Sequence, residues 1–118
     1  MGKKYRKCKT QVKIGAHPYE VRTRSRVRNS DGIPNAGHID AQRNRIDIDY
    51  HQTGSQLEEA VIHEITHGIS FDRALGLTEE QVQTLSAGWL AVLKDNPHLF
   101  QVTILEALKE KHNEHRKS

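Results

Sequence analysis

The hydrophobic period of this chain changes once, near residue 53, and that change constrains the fold more than any other feature. Ile46, Ile48 and Tyr50 alternate with Arg45, Asp47 and Asp49, the period-two pattern of a strand with one buried face. From Leu57 onward, Leu57, Val61, Ile62, Ile65 and Ile69 recur at steps of three and four, the period of a helix packed along one side. Ser55 and Glu58 have the spacing of a capping box, so the pattern predicts a helix over about residues 56–71.

Upstream, Gln11 to Gly15 and Tyr19 to Val21 alternate around the turn chemistry of Gly15 to Pro18, a candidate hairpin. His38-Ile39-Asp40 and Arg45 to Tyr50, turned by Gln42 to Asn44, form a second. Between them, Arg22 to Arg28 has Val27 as its only aliphatic residue, and Asn29 to Gly37 is rich in turn formers, so an exposed loop is expected. Downstream, Asp72 to Leu77 breaks the helical pattern. Thr78 and Gln81 then cap a second helix with Val82, Leu85, Trp89, Leu90, Val92 and Leu93 on its apolar face, Trp89 serving as a core anchor. Asn96 and Pro97 open a third helix carrying Leu99, Phe100, Ile104, Leu105 and Leu108. The expected fold is α+β: a small antiparallel sheet of two hairpins packed on the first helix, plus two further helices. One domain, residues 11–112, lies between a basic disordered tail, 1–10, and a polar tail, 113–118.

Composition narrows the chemistry. Only 35% of the 118 residues are hydrophobic, so the core is small. No run approaches the roughly 18 apolar residues of a membrane span, and no apolar secretory segment follows the basic N-terminus, which predicts a soluble, cytoplasmic protein with no membrane partner. Cys8 is the only cysteine, which excludes an intramolecular disulfide and a Cys-rich zinc module; eight histidines and the carboxylates remain as candidate ligands. Charge is divided. Residues 1–28 hold ten Lys and Arg against Glu20 alone, a net +9, whereas the remaining ninety hold eight basic and fourteen acidic side chains, a net −6. A basic arm of this kind fits nucleic acid, and fits equally a solvated tail and a strand with charged exposed faces.

The predicted first helix contains His63-Glu64-Ile65-Thr66-His67. Residues four apart on a helix lie one above the other, so His63 and His67 present two imidazole nitrogens to one metal ion. Glu64, one residue on, is turned off that line, where it reaches a metal-activated water as a general base. A hydrolytic zinc takes three protein ligands. The extended H-E-x-x-H-x-x-G-x-x-H pattern is absent, because Ser70 and Arg73 stand at its glycine and last histidine. Asp72, Glu79, Glu80 or another histidine is left to supply the third ligand. With Val82 at zero and 100° per residue, Glu79 lies at about +60° and Glu80 at about +160°, so Glu79 points closer to the first helix. Two acids in a first helical turn also suit the macrodipole without any metal. His38 and His98 are each placed to approach such a site, but neither is assigned a role.

The H-E-I-T-H-G-I segment, preceded by G-H-I-D and R-I-D-I-D and followed by T-E-E-Q-V-Q-T-L, resembles the small zincin-like proteins of phages and mobile elements related to the ImmA/IrrE metallopeptidases. The resemblance covers about residues 11 to 97, and its specific part is the H-E-x-x-H. It implies a minimal gluzincin-type core with His63, His67 and Glu79 holding Zn²⁺ and Glu64 as base, acting on a protein or peptide substrate. It also implies that the strand Arg45 to Tyr50 receives an extended peptide, with Arg45, Asp47 and Asp49 facing solvent or substrate. In a chain this short a bare core is expected, without the helix-turn-helix or sensor domain of larger members. The competing expectation is a basic-armed nucleic-acid-binding or interaction protein, reached through residues 1–28, whose H-E-x-x-H site is structural or vestigial.

Overall fold

The computed structural model describes residues 10–52 and 54–97. Its elements are β1 (Gln11–Ile14), β2 (His17–Arg24), β3 (Gly37–Asp40), β4 (Arg45–Asp49), α1 (Gly54–Arg73) and α2 (Glu79–Asp95). The predicted third helix beyond Pro97, most of the basic tail and the polar tail lie outside the described residues.

Both hairpins form. Gly15, with φ +61°, turns β1 into β2, a backbone conformation that glycine adopts without strain. Between β3 and β4, Asp40 Oδ1 accepts from the backbone N–H of Gln42 and Arg43, each at 3.1 Å, and Asn44 takes φ +53°. The sheet they build is mixed rather than antiparallel. Its order is β1-β2-β4-β3, and β2 pairs with β4 in parallel, Val21 beside Ile46 and Thr23 beside Ile48.

The reason is that β2 does not stop at Val21. Its inward face continues through Thr23, while Arg22 and Arg24 point to the other face, where Asp47 of β4 meets them. Arg22 Nε donates to Asp47 Oδ1 at 2.8 Å and its Nη2 to Oδ2 at 3.1 Å, a bidentate pair. Charges that read as a loop are therefore the outer face of a central strand. Pairing on both sides also makes β4 an interior strand, so Arg45 to Tyr50 is not an open edge; among the described residues the sheet's edges are β1 and β3, and β3 is the one beside β4. The connection from β2 to β3 is exposed along much of its length, yet it is organised: Asn29 Oδ1 accepts from Asp31 and Ile33 N–H, Asn35 N–H donates to Val27 O, and Val27 is buried.

The inner sheet face contributes Ile14, Tyr19, Val21, Ile39, Ile46 and Ile48 to the core, and α1 covers it with Leu57, Ala60 and Val61. Gly68 brings α1 close to the sheet, since a Cβ there would sit 2.6 Å from Ile14 Cδ1. The helix begins and ends two residues outside its predicted bounds. Ser55 and Glu58 are both engaged by Lys94 of α2, at 2.8 and 3.1 Å. Ile69, expected on the buried side, is exposed.

The Thr78–Gln81 capping box forms as predicted and opens α2. Its contact face is rotated from the apolar one. Val82, Ser86 and Leu90 are buried, at about 0°, 40° and 80° on the helical wheel, whereas Leu85, Trp89 and Val92, at about −60°, −20° and −80°, are 46%, 49% and 42% exposed. Trp89 is thus no core anchor. The small Ser86 sets the rotation, with its hydroxyl 3.5 Å from Thr66 Oγ1 at the α1–α2 crossing. Among the described residues no helix is long and apolar enough to cross a membrane.

Candidate metal centre

His63 and His67, one turn apart on α1, present their rings edge to face with centroids 4.9 Å apart. The rotation of α2 places Glu79, at about +60° on the wheel, in the middle of the side that meets α1. Its carboxylate spans both imidazoles: Oε2 lies 2.8 Å from His63 Nε2 and Oε1 lies 2.9 Å from His67 Nε2. One ligand atom from each of the three side chains falls within 4.8 Å of the others. Two imidazole nitrogens and a carboxylate oxygen are a donor set suited to zinc and to other first-row divalent ions.

The other acids stand elsewhere. Glu80 borders a surface hollow with Leu77, Gln81, Thr84 and Leu85. Asp72 is packed against Gly15 of the β1–β2 turn and lies 3.6 Å from Arg73 Nε. His38 borders the cleft, but its register partner on β4 is Asp47, on the sheet face away from α1. His98 lies outside the described residues.

Glu64 is nearly buried, 6% exposed, between α1 and the edge strand. A Cβ on Gly37 would lie 3.0 Å from Glu64 Cγ, so the absence of a side chain at the start of β3 gives this carboxyl its place. Burial, followed by the negative charge of Glu79, pushes the Glu64 carboxyl from 4.5 up to about 8. It is therefore protonated at neutral pH unless a cation comes close.

Phe71, one turn beyond His67, stacks on that imidazole at 6.1 Å and 24°. The sequence reading missed both Gly37 and Phe71. Phe71 was legible as the i+4 neighbour of His67; Gly37 was hidden among turn formers, because its role depends on a helix that follows it by seventeen residues. Comparison of the chain with known protein families, with curated proteins and with solved structures gives no match.

Proposed function

We propose that the chain is a zinc-dependent hydrolase, and most concretely a small metallopeptidase of the zincin-like kind that its motif resembles. The observation that carries this reading is the convergence of His63 Nε2, His67 Nε2 and the Glu79 carboxylate within 4.8 Å, with the buried Glu64 beside them. His63, His67 and Glu79 would hold the ion. When bound, zinc supplies Lewis-acid polarisation of a carbonyl and acidifies water. Its positive charge would also draw the Glu64 proton off, converting a neutral carboxyl into a base.

Glu64 then accepts a proton from the attacking water at a carboxylate oxygen and delivers it to the leaving nitrogen, so one group serves as base and acid in turn. The substrate is an extended peptide lying along β3, whose outer edge has no strand partner among the described residues and whose Gly37 adjoins Glu64.

The decisive experiment compares zinc-loaded protein with its Glu64→Gln variant on a peptide library. The variant is expected to retain zinc and to lose activity by about 100-fold or more, the usual weight of a general base. Equal cleavage by the two proteins would overturn the assignment.

A further inference from the structure

The cleft at Glu64 is a junction of two hollows with different linings. Both reach Asn35, Gly37, His63, Glu64 and Glu79. The first, about 260 Å³, is walled by Gln52, Gln56, Glu59 and Gln83, with Ala36 and Ala60 as its apolar side chains. The second, about 420 Å³, runs past His67 to Ile39 and Phe71. One wall offers three carboxamides and a carboxylate; the other offers an aromatic ring that is 54% exposed although it belongs to a helix lying on the core.

The two walls are ordered along α1. Glu59 lies one turn before His63 and Phe71 one turn after His67, which places them about 18 Å apart along the helix axis at about 1.5 Å per residue. An extended peptide rises about 3.3 Å per residue, so five to six residues cover that distance, roughly, with the peptide bond nearest Glu64 in the middle.

Building on the hydrolase reading, the geometry points to a substrate segment of about six extended residues with unlike flanks: a lysine or arginine entering the hollow at Glu59, and an aromatic or aliphatic side chain entering beside Phe71. The Glu59 carboxylate takes the cationic head, and the oxygens of Gln52, Gln56 and Gln83 accept its remaining N–H groups. Glu79 does not compete for that cation, because both its oxygens face the histidines. On the opposite flank, an apolar side chain covers the exposed face of Phe71 and packs toward Ile39.

The test is a cleavage profile of the full-length, zinc-loaded protein on peptides varied one position at a time on each side of the cut. Wild-type protein is expected to favour Lys or Arg on one side and Phe or Leu on the other, each by about tenfold over alanine. Glu59→Lys should reverse the charged preference toward Asp and Glu while leaving the apolar one in place. Phe71→Ser should flatten the apolar preference alone. Each preference is a ratio within one protein, so a general fall in activity does not move it. Cleavage with a flat profile, or with preferences that neither substitution shifts, overturns this inference and leaves the hydrolase reading standing. Wild-type protein that cleaves nothing overturns both.

Discussion

At the scale of single residues, Glu64 couples the site to pH. Its carboxyl is raised to about 8 in the folded chain against 4.5 when solvated, because burial and the Glu79 charge both disfavour the anion. The folded state therefore holds a proton that the unfolded chain releases near pH 4.5. That contribution to stability is complete below about 4.5 and is lost as pH rises through about 8, a change on the order of a few kcal/mol. The melting temperature of metal-free protein is expected to fall between pH 5 and pH 8.5, and Glu64→Gln should flatten the fall. Parallel curves for the two proteins would exclude this role. Gly37 acts on the same carboxyl sterically. An alanine there would crowd Glu64 Cγ at 3.0 Å and Ile48 Cδ1 at 3.1 Å, with Asp47 O at 3.3 Å behind them. The backbone oxygen has little freedom to retreat, so Glu64 is the group that moves. Gly37→Ala is expected to bind zinc normally and to lose about 10–100-fold in kcat, since small displacements of a reacting group are costly; unchanged kcat would show that the carboxyl tolerates the shift.

At the scale of elements, the site depends on how α2 is rotated against α1. Thr78 and Gln81 fix where α2 begins, and that much was legible, because a capping box is a local signal. The contact face was not. Apolar residues centre the wheel near Trp89, but the helices meet along Val82, Ser86 and Leu90, where a serine permits the close crossing. The phase argument nevertheless favoured Glu79, because at about +60° it lies on the contact side under either rotation. The consequence for measurement is an asymmetry between neighbours. Glu79→Gln is expected to weaken zinc binding by at least about 100-fold in titration calorimetry, while Glu80→Gln changes it less than about twofold. Equal effects from the two would mean that α2 presents a different face in solution.

At the scale of the whole molecule, the division of charge acquires a structural meaning. The pairing of β2 with β4 was not readable from sequence, since strand alternation fixes faces and not neighbours, and it consumes part of the basic excess of residues 1–28. Arg22 and Arg24 meet Asp47 on the outer face of the sheet, and Arg28 Nη1 donates to the Gly32 carbonyl. Of the three, only Arg22 is buried, and Arg28 remains on the surface. The sequence also carries Lys3, Lys4, Lys7 and Lys9 in the same basic stretch, and the nucleic-acid and peptidase readings separate on those four. Replacing them with glutamine should leave hydrolysis of short peptides within about twofold of wild type, because the described residues that line the cleft lie between Asn29 and Gln83. Any affinity for DNA or RNA that runs through this region should fall, and the slope of log K against log salt should become shallower by about 0.9 per lysine that contacts a phosphate on duplex DNA. A loss of peptide hydrolysis in the same variant would tie the basic segment to the catalytic cleft, and the charge division would then belong to substrate capture.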